Sequence, residues 1–104
     1  MWIKRRTGST GSHQIYDSVR GATERLRADT TDAEDTRNTG LKSFDSSGFS
    51  LGSLTGSNAS GSNYVAWCWD AGTGSAVSNT DGSITSQVKA NTAKGFSIVT
   101  GTTP

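Results

Sequence analysis

Cysteine, proline and histidine are almost missing from this chain of 104 residues, which contains one of each. A single cysteine excludes an internal disulfide and a zinc site built from cysteines. Long apolar runs are missing too, and a helix needs about 20 consecutive apolar residues to span a membrane. We therefore expect no cofactor and no membrane insertion.

Hydrophobic residues are also scarce, at 31% of the chain, and the net charge is only +1. A charge this small gives no reason to expect a nucleic-acid partner. The chain is instead rich in serine (16), threonine (15) and glycine (13). Its apolar residues form short runs between glycine-containing turns, a pattern that favours strands over disorder. We therefore predict one small all-β domain.

The short apolar runs predict where the strands lie. Two apolar-bearing arms between Leu41 and Gly52 flank a DSSG turn, which is typical of a hairpin. Trp2, Ile3 and Lys4 resemble the end of a strand, and a further strand around Leu26 is expected to lead into an acidic loop. The other predictions are strands near residues 13–20, 41–45, 48–52, 63–69, 83–89 and 95–100.

The segment YVAWCW, residues 64–69, contains two of the three tryptophans and the only cysteine. An extended strand here is apolar on both faces, which is typical of the centre of a sheet. We therefore interpret the segment as core, with Cys68 as a small buried residue and an exposed ligand-binding patch as the alternative. The predicted buried layer joins Val65, Trp67 and Trp69 to Phe44, Phe49 and Phe96. Replacing Trp67 by alanine should then cost roughly 3–5 kcal/mol.

Groups suited to catalysis are few. His13 is the only histidine, and Asp17 follows it four residues later. Serines that would complete a Ser-His-Asp set occur throughout, but none lies in a nucleophile-elbow motif. No glycine-rich loop contains the lysine of a phosphate-binding loop. We therefore predict that the protein is not an enzyme.

One acidic segment contains enough carboxylates to hold Ca²⁺. Its candidate ligands are Asp29, Asp32, Glu34 and Asp35. The segment lacks the alternating spacing and the glycine of an EF-hand loop. No two of its carboxylates are singled out as the buried pair of a glycosidase. We therefore expect a solvated acidic loop and no metal site.

A resemblance to a known family rests on six motifs: WIKRR, HQIYDSVRGAT, TTDAED, SFDSSGFSLG, NYVAWCWDAG and AVSNTDGSITSQVKANTAKGFSIVT. In this order they resemble a repeat module of marine bacteriophage and cyanophage virion proteins, which are tail-fibre-like or appendage-like. The resemblance implies an antiparallel β-sandwich of the concanavalin/laminin-G-like or jelly-roll kind. We expect a main module over residues 1–72. Residues 73–104 resemble the start of a following module, so the sandwich is expected to be incomplete at both ends.

The resemblance also implies a function. It suggests a non-enzymatic structural module of the virion, on a tail fibre or the capsid surface, with other virion proteins and further copies of the chain as partners. The alternative is a lectin-like domain that binds host-surface glycan. We expect such contacts to come from the polar loops at 7–12, 53–63 and 70–82, because connecting segments run over the surface. The candidate binding residues are Asn58, Asn63 and Asp70, and His13 is interpreted as an incidental surface residue.

Overall fold

The computed structural model describes all 104 residues. It contains ten strands and one single-turn helix, and every strand pair is antiparallel. The all-β prediction is therefore confirmed. The chain divides into two compact units, Met1–Cys68 and Trp69–Pro104. No helix is long and apolar enough to cross a bilayer.

The first unit is built on a five-stranded sheet. In chain order its elements are β1 (Trp2–Arg5), β2 (Gln14–Asp17), β3 (Gly21–Arg27), β4 (Asp35–Thr36), β5 (Leu41–Asp45), β6 (Gly48–Leu51), α1 (Thr55–Asn58) and β7 (Tyr64–Trp67). The sheet has the order β4-β3-β2-β1-β7, and β5 and β6 form a separate hairpin. Strand β5 packs on β3 and helix α1 on β1, which gives this unit a sandwich-like arrangement.

The core of the first unit is small and partly polar. Met1, Ile3, Tyr16 and Leu41 are its buried hydrophobic residues, and Tyr16 and Leu41 have no exposed surface at all. The hydroxyl of Tyr16 donates a hydrogen bond of 2.6 Å to Oε1 of buried Gln14. Burial raises the pKa of Tyr16. This bond satisfies both groups and so avoids the cost of burying an unpaired polar side chain.

The second unit is a three-stranded sheet. Its strands are β8 (Val77–Asn79), β9 (Ser86–Asn91) and β10 (Phe96–Gly101), in the order β10-β9-β8. The rings of Trp69 and Phe96 stack with their centroids 5.9 Å apart and their planes 11° from parallel. Predicted and observed strands agree closely in β10, but β8 lies inside the segment predicted to be a loop.

Strand boundaries in the first unit differ from the predictions at β2, β4 and β7. Strand β2 ends at Asp17, although the prediction continued it to residue 20. The Asp17 carboxylate accepts hydrogen bonds of 2.9 Å from the backbone N–H groups of Val19 and Arg20, which turns the chain at that point. Strand β4 was not predicted, since it is only two residues long and lies in the acidic segment.

The interpretation of YVAWCW as a buried central strand is wrong. Strand β7 lies at an edge of its sheet and ends at Trp67, so Cys68 and Trp69 lie beyond it. Trp67 is 44% exposed, Trp69 is 49% exposed, and Cys68 is exposed as well. Only Tyr64 and Ala66, on one face of β7, pack against the core.

The predicted aromatic layer is absent for the same reason. Phe44 pairs with Phe49 across the β5–β6 hairpin, and Trp69 contacts Phe96 in the second unit. Trp67 contacts Trp2 instead. The five aromatic residues therefore belong to three separate places rather than to one buried layer.

Candidate functional site

A row of apolar side chains crosses the sheet of the first unit. Trp2 of β1 is paired with Trp67 of β7 on one side and with Ile15 of β2 on the other. Ile15 is paired in turn with Leu26 of β3. Residues paired directly across strands share a face. Since side chains alternate along a strand, this row lies opposite buried Ile3, on what we call the outer face.

Three rings on the outer face form a cluster that we call the aromatic platform. The ring centroids of Trp2 and Trp67 are 5.6 Å apart with the planes tilted by 57°. Those of Trp2 and His13 are 5.7 Å apart with a tilt of 48°. Both separations lie in the range of favourable aromatic contacts. Trp67 is the most exposed member of the three, while Trp2 and His13 are half-buried.

His13 is fixed in the platform by two hydrogen bonds. Its Nδ1 accepts a bond of 3.2 Å from the indole N–H of Trp2. Its backbone N–H donates a bond of 3.0 Å to the carboxylate of Asp29. The interpretation of His13 as an incidental surface residue is therefore wrong. No signal in the sequence could have revealed its role, because Trp2 and His13 are eleven residues apart.

Positive charge continues the outer face along β1. Lys4 follows Trp2 by two residues and is paired with Val65. The backbone N–H of Arg6 donates a bond of 2.7 Å to the carbonyl of Asn63, which continues the pairing beyond the end of β1. Alternation therefore places Trp2, Lys4 and Arg6 on the same face.

Neither Lys4 nor Arg6 forms an ion pair. Four other arginines of this unit do: Arg20 binds Asp17 and Glu34, Arg25 and Arg37 bind Asp35, and Arg27 binds Asp32. The outer face thus has two cations beside its aromatic platform without a carboxylate to neutralise them.

Arg5 lies on the opposite face of β1, and its side chain hydrogen-bonds residues of two loops. Its Nε donates to the carbonyl of Thr7 at 3.1 Å and to the hydroxyl of Ser62 at 3.0 Å. Its Nη1 donates to the hydroxyl of Ser9 at 2.9 Å, and its Nη2 also donates to Ser62. Arg5 therefore ties the loop at 7–12 to the loop at 53–63.

The four acidic residues considered as calcium ligands bind protein groups instead. Asp35 lies in β4, so the prediction of one solvated loop is wrong at that residue. Two hydrogen bonds from Arg25, whose side chain is only 8% exposed, lower the pKa of Asp35 to about 2. Glu34 binds Arg20 at 2.8 Å, Asp32 binds Arg27 at 3.1 Å, and Asp29 binds the His13 backbone. No three His, Cys, Asp or Glu side chains converge.

The predicted binding residues Asn58, Asn63 and Asp70 are not gathered in one unit. Asn58, in α1, donates from Nδ2 to the carbonyl of Gly52 at 2.8 Å, and the backbone N–H of Asn63 donates to the hydroxyl of Thr7 at 2.9 Å. Asp70 belongs to the second unit, where it accepts a bond of 2.8 Å from the backbone N–H of Gly72. Their role as ligands stays a prediction.

An open cleft of about 500 Å³ lies beside Asp70 in the second unit. Residues 71–75 and parts of β8 and β9 line it, and their side chains are mostly small. Asn91, one of the lining residues, donates a hydrogen bond of 3.2 Å to the carbonyl of Asp70. The cleft lacks a convergent set of charged groups, so the outer face of the first unit is the stronger candidate site.

Comparisons with known proteins give a family but no activity. The model of a family described as "Domain of unknown function (DUF7483)" matches residues 1–104. No curated protein and no solved structure matches the sequence. Any functional conclusion therefore depends on the chemistry of the outer face.

Proposed function

The chain belongs to the DUF7483 family, and we propose that it is a non-enzymatic, lectin-like module with which a bacteriophage virion binds glycan on its host. The observation behind this proposal is the exposure of Trp67 beside Trp2 and His13. An aromatic ring open to solvent offers an apolar surface on which the C–H face of a sugar can stack. Neighbouring polar groups then hydrogen-bond the sugar hydroxyls and orient the ligand.

The platform is suited to binding because strands hold it in place. Trp2 belongs to β1 and Trp67 to β7, and the residues are paired directly across the ladder. A preformed site loses little conformational entropy when its ligand binds. The proposal therefore moves the glycan contact from the loops to the strands, since Trp67 is exposed rather than buried.

The surroundings of the platform support binding without catalysis. Nδ1 of His13 already accepts the Trp2 indole N–H. The carboxylate of Asp29 accepts a hydrogen bond from the backbone N–H of His13. Glycosidases need two carboxylates that flank the scissile bond, and the carboxylates of Asp32, Glu34 and Asp35 are engaged by arginines. The location in a virion is supported by the six-motif resemblance described above.

Glycan-array binding followed by titration of tryptophan fluorescence tests this function. We expect Trp67→Ala to weaken glycan binding at least tenfold, or about 1.4 kcal/mol. Trp69→Ala is the matched control, because Trp69 is equally exposed but lies in the other unit. Loss of binding in Trp69→Ala with retention in Trp67→Ala would contradict the proposed site. Absence of any glycan binding by the parent protein would reject the lectin-like function.

A structural role in the virion is the second candidate, and the position of β7 favours it. Strand β7 is the last strand of its sheet and contains no charge, proline or bulge. Edges of this kind pair readily with a strand of another chain. Light scattering over a range of protein concentrations tests the idea. We expect an oligomer that dissociates on dilution, and a monomer at every concentration would argue against self-assembly through this edge.

A further inference from the structure

We propose that the ligand of the outer face is an acidic saccharide whose carboxylates lie against Lys4 and Arg6. This inference rests on the proposed glycan-binding function and adds the chemical class of the glycan. It predicts a chain of uronic acid residues that lies along β1. One sugar ring would stack on the aromatic platform, and the following rings would present their carboxylates to the two cations.

The spacing along β1 supports a linear ligand. Trp2, Lys4 and Arg6 occupy alternate positions on one face, and alternate residues in a strand are about 7 Å apart. The two tryptophans therefore lie at one end of a straight track and Arg6 at the other, with Lys4 between them. Arg6 contributes a planar guanidinium, which can bind a planar carboxylate through two parallel hydrogen bonds.

The charge balance supports an anionic ligand. Arg20, Arg25, Arg27 and Arg37 each bind a carboxylate of the chain, whereas Lys4 and Arg6 bind none. Lys4 is half-buried and is paired with Val65, so its charge is less screened than that of a fully exposed lysine. At this end of the sheet, one carboxylate is seen to contact the platform. It belongs to Asp29 and accepts a hydrogen bond from the backbone N–H of His13.

The same charges disfavour a second copy of the chain as the occupant. A two-fold pairing of outer faces brings the same surface patch of both copies together. Lys4 and Arg6 of both copies would then be enclosed in one interface for which no neutralising carboxylate is seen, and like charges brought together at an interface are repulsive. An acidic partner neutralises these charges instead.

Two hexasaccharides that differ only at one carbon of each sugar test the proposal with the full chain. They are β-1,4-linked hexamannuronate and β-1,4-linked mannohexaose, titrated by calorimetry. We expect the acidic hexamer to bind at least tenfold more tightly, with a preference that shrinks between about 50 mM and 500 mM NaCl because salt screens exposed charges. The double variant Lys4→Gln/Arg6→Gln should bind both hexamers with the affinity of the neutral one.

The double variant Lys42→Gln/Lys94→Gln is the control for net charge. Lys42 lies in β5, where its amine donates to the carbonyl of Asn38 at 3.1 Å, and Lys94 lies in a turn of the second unit. We expect this variant to keep the full preference for hexamannuronate. Circular dichroism confirms that each variant is folded before it is titrated.

The outcomes separate this inference from the function on which it rests. Equal affinity for both hexamers, with binding lost in Trp67→Ala, would overturn the acidic specificity and keep the lectin-like function. An equal loss of preference in the Lys42/Lys94 control would also overturn the inference, since net charge alone would then explain it. Failure of both hexamers to bind would overturn the inference, and failure of the wider glycan array would reject the function as well.

Discussion

The indole N–H of Trp2 donates a hydrogen bond of 3.2 Å to Nδ1 of His13. The two residues lie eleven positions apart in the sequence, and the pairing of β1 with β2 brings them together. The orientation of the Trp2 ring, and with it the aromatic platform, is therefore linked to the position of the His13 side chain.

We expect His13→Ala to weaken the binding of mannohexaose, because the indole N–H of Trp2 then loses its acceptor and the ring is held less firmly. His13→Asn keeps an acceptor near the same position, so this variant should retain more of the affinity. Titration of tryptophan fluorescence measures both variants. Equal affinities of His13→Ala and the parent protein would contradict the linkage.

A second prediction concerns the stability of the first unit. Because Trp67 is 44% exposed at a sheet edge, Trp67→Ala should lower the free energy of unfolding by only about 1 kcal/mol, the typical effect of a substitution outside the core. Leu41→Ala, at a site with no exposed surface, should cost about 2–5 kcal/mol. Urea denaturation measures both. Similar losses for the two variants would show that Trp67 is buried after all.

The contrast between these two residues shows what the sequence could predict. The hairpin from Leu41 to Leu51 was predicted to within one residue, because its turn chemistry and its apolar arms are local signals. The prediction that YVAWCW is apolar on both faces came from the same kind of local pattern. Whether such a strand is central or at an edge depends on which strands lie beside it, and local pattern does not determine that order.

The candidate site was predicted only in part, as the alternative interpretation of YVAWCW, because it is assembled from distant residues. Trp2, His13 and Trp67 are brought together by the pairing of β1 with β2 and with β7. Trp67 was considered as part of an exposed ligand-binding patch, but Trp2 and His13 give no such signal in their own segments, and polar loops gave the more obvious signal for binding. The significance of the cations at residues 4 and 6 also depends on the pairing of four arginines elsewhere with carboxylates, which the sequence does not reveal.

A third prediction follows from the tight approach of two chain segments at Gly52. A β-carbon at this position would lie 2.5 Å from the carbonyl oxygen of Thr39, and backbone atoms there cannot move aside easily. We expect Gly52→Ala to lower the free energy of unfolding by about 1–3 kcal/mol, the usual effect of overpacking. Gly48→Ala is the matched control, since no atom lies within 4 Å of its β-carbon position. Equal thermal stability of the two variants would contradict the crowding at Gly52.

The last prediction concerns acid sensitivity and depends on Asp35. Arg25 donates to both oxygens of this carboxylate, at 2.9 Å and 2.7 Å, and Arg37 donates at 2.9 Å. The bonds from Arg25 are the main reason that the pKa of Asp35 falls to about 2, whereas an unfolded aspartate has a pKa of about 3.9. The ion pair therefore stabilises the folded state fully above about pH 5, and its contribution is lost progressively as the pH falls toward 2.

Asp35→Asn should melt at a lower temperature than the parent at neutral pH, and its melting temperature should fall less steeply in acid. Asp81→Asn is the control for charge, because Asp81 is exposed and its carboxylate accepts a hydrogen bond from the Asn79 side chain rather than from an arginine. If the melting temperature of Asp35→Asn falls as steeply with decreasing pH as those of the parent and the control, Asp35 is not the group that makes the first unit sensitive to acid.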